Sequence, residues 1–163
     1  MNNTLKLIIA IIVSELAGVV GSVFTVSTSS PQAVSGLNWY AGLVKPALNP
    51  PSWVFGPVWT TLYALMGIAA FLVWKNGWEK KEVKKALGVF GIQLFLNAIW
   101  SIVFFGLHNP GWALVDIIAL WLAIVWTMVV FYKISKPATY LLILYILWVS
   151  FASYLNYSIW VLN

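Results

Sequence analysis

Residues 112–132 read WALVDIIALWLAIVWTMVVFY, and Asp116 is the single charged side chain in this run. A helix needs about 20 predominantly apolar residues to cross the hydrocarbon core of a bilayer, which is about 30 Å thick. The run has that length and that composition. It therefore predicts a helix that spans a membrane.

Similar apolar runs, bounded by polar residues or by Pro and Gly, occur along the whole sequence. Together they predict spans near residues 5–26, 53–74, 86–105, 112–132 and 139–162. We therefore expect an all-α fold, an integral membrane bundle of five transmembrane helices that forms one domain over residues 1–163. A signal peptide is the alternative for the first run, but the length of that run and Glu15 in its middle favour a span.

Composition supports a membrane protein and argues against other classes. Hydrophobic residues make up 62% of the chain and charged residues 8%, whereas soluble domains have about 25% charged residues. All nine basic residues are lysines that follow the loops, so we expect no nucleic-acid partner. Cysteine is absent, which excludes disulfides and thiolate metal ligands.

The lysines are distributed unevenly between the two sides of the predicted bundle. One side has only Lys45, and the other has eight, namely Lys6, Lys75, Lys80, Lys81, Lys84, Lys85, Lys133 and Lys136. Cytoplasmic loops carry the excess of positive charge. We therefore predict a multi-pass protein of the cell membrane with a cytoplasmic N-terminus and an outside C-terminus.

The only long connection covers residues 27–52. It contains Pro31, Pro46, Pro50 and Pro51, and proline disfavours a continuous helix. We expect this segment to form an ordered lid rather than a helix.

Tryptophan is unusually frequent, with eleven residues. Those at span ends fit the belt of aromatic residues at a membrane surface, and they are Trp53, Trp74, Trp78, Trp112 and Trp160. Others lie within spans, where an indole N–H facing lipid loses its hydrogen bond; these are Trp59, Trp100, Trp121, Trp126 and Trp148. Some of the second group should turn inward, either as bundle core or as the wall of a ligand cavity.

Polar residues within the spans should also face the bundle interior, because lipid offers them no hydrogen-bond partner. Gln93, Asn97 and Ser101 recur every four residues and so share one face of the third span. Asp116 is best interpreted as one end of a hydrogen bond between helices. For Glu15, a structural role and a functional role remain equally open.

Small residues offer positions for close packing between helices. Ala10, Ser14, Gly18 and Ser22 form a stripe on the first span, and Gly88 and Gly91 lie on the third. Each set is compatible with packing inside one bundle or with a dimer interface.

The sequence contains no conventional catalytic or metal-binding pattern. The single histidine, His108, lies in a short loop, so we expect no metal site and no required cofactor. A ligand must then be held by stacking, apolar contact and a few neutral hydrogen bonds. These interactions suit a flat, hydrophobic, aromatic molecule.

Four blocks resemble one known family in the same order. They are WYAGLVKPALNPPSWVFGPVWTTLY from Trp39, QLFLNAIWSIVFFG from Gln93, GWALVDI from Gly111 and LWVSFASYLNYSIW from Leu147. These blocks resemble the translocator protein family, whose members are also called tryptophan-rich sensory proteins or peripheral benzodiazepine receptors. The resemblance covers nearly the whole chain and is weakest over the first 35 residues.

The resemblance implies a five-helix bundle, often a homodimer, that binds porphyrins such as protoporphyrin IX and haem. Benzodiazepines and isoquinoline carboxamides are further ligands of this family. The ligand-binding positions that match are Tyr40, Trp59, Asn97 and Trp148, with Gln93 as a weaker addition. Light-dependent breakdown of bound porphyrin is also implied, with Trp59 and Trp148 as the catalytic candidates.

The chain departs from the family pattern at several positions. Leu144 and Ser101 stand where proline is common, which predicts straighter third and fifth spans. Animal members have a cholesterol-recognition pattern that ends in arginine, but here Tyr157 is followed by no basic residue. We therefore expect weak cholesterol binding.

Three classes of function follow from these observations. The first is a membrane protein that binds tetrapyrroles for their handling or for stress sensing. A light-dependent porphyrin-degrading enzyme is the second, and a transporter of small hydrophobic molecules is the third. Membrane lipid is the surrounding partner in each case.

Overall fold

The structure, a computed structural model, describes residues 2–26 and 36–163. All regular elements in these two ranges are helices. Five of the helices are long and apolar enough to cross a membrane. The predicted all-α class with five spans is therefore confirmed.

The helices are numbered in chain order. The elements are α1 (Asn3–Val26), α2 (Gly36–Gly42), α3 (Ser52–Trp74), α4 (Lys81–Ser101), a π-helical turn (Ile102–Gly106), α5 (Pro110–Tyr132) and α6 (Lys136–Leu162). The five spans are α1, α3, α4 with its π-helical turn, α5 and α6.

The lid segment differs from its prediction, because residues 36–42 form the short helix α2. The prolines of this segment lie outside α2, so each residue of α2 keeps its backbone N–H for helical hydrogen bonding. Beyond α2 the chain turns, and Asn49 N donates to Pro46 O at 2.9 Å. Residues 27–35 lie outside the described ranges.

The third span begins earlier than the sequence predicted. It starts at Lys81 rather than near residue 86, because lysine is a good helix former and no Pro or Gly interrupts residues 81–87. At its other end the helix widens directly after Ser101. There Leu107 N donates to Ile102 O at 2.9 Å, which is the hydrogen-bond spacing of a π-helix.

The five spans form a closed ring. Around the ring, α1 packs on α3, α3 on α6, α6 on α5, α5 on α4 and α4 on α1. Helix α1 is therefore part of the bundle. Its contact with α3 is close at Gly67, where an added Cβ would lie 2.6 Å from the Cα of Ile11.

The surface of the ring is apolar over most of its length. Large exposed hydrophobic residues occur on every span, for example Ile12, Phe95, Leu122 and Leu147. The interior is filled by aliphatic and aromatic side chains of α3, α4, α5 and α6. This arrangement suits a bundle that is surrounded by lipid and has a dry core.

Candidate ligand cavity

A cavity of about 420 Å³ opens within the ring at the end where α2 lies. Its wall is formed by α1, α2, α3, the end of α4, the π-helical turn and α6. Ligand pockets have volumes of about 300–1,000 Å³. The cavity is therefore large enough for a small organic ligand.

The cavity reaches far into the bundle. Its lining on α3 extends from Ser52 to Tyr63, and its lining on α6 extends from Ile159 to Trp148. At 1.5 Å per residue, each of these stretches is about 16 Å long. Tyr63 of α3 and Glu15 of α1 mark the deep end, farthest from α2.

Tyr40 forms the roof. Its hydroxyl donates to Oδ1 of Asn49 at 2.6 Å, which ties α2 to the segment that leads into α3. The ammonium of Lys45 lies 4.9 Å from the centre of the Tyr40 ring. Burial raises the pKa of Tyr40. The side chain is thus a neutral phenol at physiological pH.

Two tryptophans form the deep aromatic wall. Trp59 lies 5.7 Å from Tyr63 between ring centres, and Trp148 lies 6.0 Å from Phe55 in an edge-to-face arrangement. Such contacts hold aromatic side chains in fixed orientations before a ligand arrives. Three sequence-predicted residues, Tyr40, Trp59 and Trp148, are therefore brought to one cavity.

Asn97 does not line this cavity. It is buried behind Tyr63, whose hydroxyl donates to Oδ1 of Asn97. The Asn97 amide nitrogen in turn donates to the hydroxyl of Tyr145 at 2.8 Å. Asn97 is part of a hydrogen-bond network between α3, α4 and α6, so it supports the cavity wall from behind.

Gln93 does not line the cavity either. It lies one turn before Asn97 and is 1% exposed, with its amide nitrogen 3.6 Å from the sulfur of Met66. Oε1 of Gln93 has no hydrogen-bond partner among the described residues. The polar face of α4 thus points inward as predicted: Ser101 lines the cavity, whereas Gln93 and Asn97 lie beneath it.

With the fold and the cavity in place, the chain can be compared with known proteins. The model of the TspO/MBR family matches residues 10–161. The chain belongs to the TspO/MBR family. The family assignment made from the sequence is confirmed, and the chain is a multi-pass membrane protein.

Relatives in this family match most of the chain. It is 51% identical over 140 residues to the tryptophan-rich protein TspO of Chlorobaculum tepidum, covering 86% of this chain and 87% of that protein. It is 48% identical over 162 residues to the tryptophan-rich protein TspO of Archaeoglobus fulgidus, covering 99% of both. It is 47% identical over 127 residues to the translocator protein of Homo sapiens, covering 77% of this chain and 75% of that protein.

In this TspO/MBR family member, one wall residue belongs to the five tryptophans within the spans but not to the predicted ligand-binding residues. Trp100 lines the cavity, and its N–H donates to Oδ1 of Asn156 at 2.9 Å. Asn156 donates in turn to the carbonyl of Pro110 at 2.7 Å. The sequence does contain a signal for this pair of hydrogen bonds. Asn156 is an amide within the fifth span, and a buried amide needs hydrogen-bond partners on other helices.

The remaining span-interior tryptophans face outward. Trp121 is 37% exposed and Trp126 is 47% exposed. The N–H of Trp121 still finds a partner, because it donates to Oγ of Ser150 at 2.9 Å. Of the five tryptophans inside the spans, the structure therefore places Trp59, Trp100 and Trp148 at the cavity.

Asp116 differs from its interpretation as one end of a hydrogen bond between helices. It does not line the cavity, and its buried Oδ2 has no hydrogen-bond partner within residues 2–26 and 36–163. The neighbouring turns of α5 contribute mainly apolar side chains, so no donor is close at hand. A membrane-embedded carboxyl in such surroundings is most stable in its protonated form.

Proposed function

We propose that this TspO/MBR family protein binds porphyrins, such as protoporphyrin IX or haem, in the cavity beneath α2. The observation that carries the proposal is the meeting of Tyr40, Trp59 and Trp148 around one cavity. Binding of this kind would serve tetrapyrrole handling or stress sensing.

The wall chemistry supports a flat aromatic ligand. Most of the cavity surface is apolar, and aromatic rings from α3, the end of α4, the π-helical turn and α6 contribute to it. Stacking on such rings adds about 0.5–1.5 kcal/mol beyond the burial of apolar area. A macrocycle with large π faces gains more from this wall than an aliphatic ligand of the same size.

Lys45 does not line the cavity, but its positive group lies beside Tyr40, which forms the roof. Its ammonium donates to the carbonyl oxygens of Ala41 and Leu43, both at 3.1 Å. An ammonium has three N–H donors, so one remains for an anion. The carboxylates of protoporphyrin IX would therefore lie near α2, with the macrocycle deeper in the bundle.

Titration of the purified protein in phosphatidylcholine nanodiscs with protoporphyrin IX, in darkness, tests this proposal. Porphyrin absorbance and tryptophan fluorescence should both report saturable binding that empty nanodiscs lack. Lys45→Gln should weaken binding of the diacid about two- to fivefold, as expected for a partly exposed ion pair. Binding that never exceeds that of empty nanodiscs would refute the proposal.

Two controls separate the role of Lys45 from general charge effects. The dimethyl ester of protoporphyrin IX lacks carboxylates, so Lys45→Gln should leave its affinity unchanged. Lys133→Gln removes an exposed lysine directly after the C-terminal end of α5, and it should leave the affinity for the diacid unchanged.

Light-dependent breakdown of the bound porphyrin is a second candidate function. The observation that favours it is that two indoles, those of Trp59 and Trp148, line the same cavity. An indole in contact with a photo-excited porphyrin can donate an electron to it. Illumination of the complex in air, followed by porphyrin absorbance, tests this activity.

A further inference from the structure

Glu15 lies in the wall at the deep end of the cavity. It precedes Gly18 by about one helical turn on α1, and Gly18 packs directly on the ring of Tyr63. The carboxyl group therefore lies at the level of Tyr63, about ten residues into a membrane span.

No basic group accompanies Glu15. Among the described residues, none forms an ion pair or a hydrogen bond with its carboxylate, and no lysine lines the cavity. Residues 27–35 contain no charged side chain in the sequence. An ionised carboxylate within a membrane is costly unless an opposite charge comes close. The cavity thus contains an acid whose counter-charge the described protein does not supply.

Two polar groups that line the cavity are already engaged, whereas the N–H of Trp148 is a buried donor without a partner among the described residues. The Tyr63 hydroxyl donates to Asn97, and the Trp100 N–H donates to Asn156. At the deep end, the Glu15 carboxylate is consequently a strong hydrogen-bond acceptor that is still available to a ligand. The Trp59 ring lies beside that of Tyr63 at this end of the cavity, and indole rings attract cations through their π faces.

We propose that the deep end of the cavity binds the protonated amino group of lipophilic aromatic amines, with Glu15 as the charged acceptor. The aromatic part of such a ligand occupies the space between the tryptophans. This ligand class goes beyond porphyrins and does not depend on their binding. The arrangement also fits a porphyrin whose carboxylates lie near Lys45, away from Glu15.

A matched pair of ligands tests the proposal. 4-Phenylbenzylamine and 4-phenylbenzyl alcohol have nearly the same shape, but only the amine is protonated at pH 7. Calorimetric titration into the protein in phosphatidylcholine nanodiscs, with empty nanodiscs subtracted, should show about tenfold tighter binding of the amine, as expected for a charge-assisted hydrogen bond. Glu15→Gln should reduce this ratio to about twofold or less, since the amide keeps the shape but loses the charge.

Glu79→Gln is the matched control, because it removes one negative charge outside the spans. It should leave the ratio of the two affinities unchanged. Equal binding of amine and alcohol to the unaltered protein would overturn the proposal. This comparison uses only the unaltered protein, so it does not depend on the folding of a variant. A preference that survives in a folded Glu15→Gln protein would overturn it as well. Titration of protoporphyrin IX into the same samples measures porphyrin binding independently. The amine proposal can therefore fail while porphyrin binding is observed, and the reverse.

Discussion

The hydroxyl of Tyr63 donates a hydrogen bond to Asn97, although only Tyr63 faces the cavity. Asn97 also donates to the hydroxyl of Tyr145 on α6. One buried amide therefore joins α3, α4 and α6 directly behind the ligand space. This network fixes the orientation of the Tyr63 ring in the cavity wall.

Asn97→Ala should reduce stability more than it reduces ligand affinity. The change leaves two buried hydroxyls, those of Tyr63 and Tyr145, without their partner. We expect the free energy of unfolding to fall by about 1–2 kcal/mol, measured by denaturant titration in mixed micelles.

Tyr145→Phe serves as the control for this network, because it removes only one hydroxyl and leaves Asn97 its bond from Tyr63. Its cost should be smaller than that of Asn97→Ala. The network interpretation would be wrong if Asn97→Ala left stability unchanged but abolished porphyrin binding.

Much of the fold follows from the sequence, because membrane spans depend on length and apolarity alone. The run at 112–132 is an example, since α5 spans Pro110–Tyr132. Helix α2 was missed because seven residues between prolines carry too weak a periodic signal. The early start at Lys81 was missed because a lysine-rich turn looks like a loop when only apolarity is considered.

The site was less predictable than the fold. Trp59 and Trp148 reach the cavity, yet Trp126, equally deep in its span, faces outward. Residue type cannot distinguish these positions, because the angular position of each helix in the ring decides which face turns inward. Asn97 was expected at the ligand from the family resemblance, but in the structure its amide group is hydrogen-bonded to Tyr63 and Tyr145.

Gly18 and Gly91 provide a matched pair of substitutions. An added Cβ at Gly18 would overlap the Tyr63 ring, whereas nothing lies within 4 Å of a Cβ at Gly91. Gly18→Ala should therefore cost about 1–3 kcal/mol of stability through overpacking. Gly91→Ala should cost nothing within one bundle, and thermal unfolding of both variants measures the difference.

The outer face of α4 near Gly91 is open, so it is a surface on which two copies can meet if the protein forms the homodimer that the family resemblance implies. Gly91→Leu should then shift the protein toward the monomer in light-scattering chromatography, with the monomer fold retained. An unchanged oligomer would exclude this face from the interface.

Membrane orientation is testable at two exposed positions. The lysine distribution predicts that Lys81 is cytoplasmic and that the loop between the π-helical turn and α5 is outside. Leu107 is the better site in that loop, because it is 68% exposed while Asn109 caps α5 by accepting a hydrogen bond from Trp112 N. Cysteines at Lys81 and Leu107 should react with an impermeant maleimide from opposite sides, and labelling of both from outside intact cells would contradict the orientation.

Trp59→Ala and Trp148→Ala should each weaken protoporphyrin IX binding, because each removes an indole face from the cavity wall. Losing a stacking partner together with its buried area should reduce affinity about tenfold or more. Trp78→Ala is the control, since Trp78 is exposed and lies between α3 and α4. Equal losses in all three variants would show that the effect comes from general destabilisation.

A test of the photochemical role of Trp59 and Trp148 requires substitutions that keep an aromatic ring in the cavity wall. Trp59→Phe and Trp148→Phe retain an aromatic face, so most of the binding should remain. Phenylalanine is a much poorer electron donor than indole, so each variant should lose bound porphyrin more slowly under illumination. The rate is measured as the decay of porphyrin absorbance at equal occupancy in air. If both variants bleach the porphyrin at the unaltered rate, Trp59 and Trp148 act only as walls of the cavity, and the light-dependent activity must depend on the porphyrin and oxygen alone.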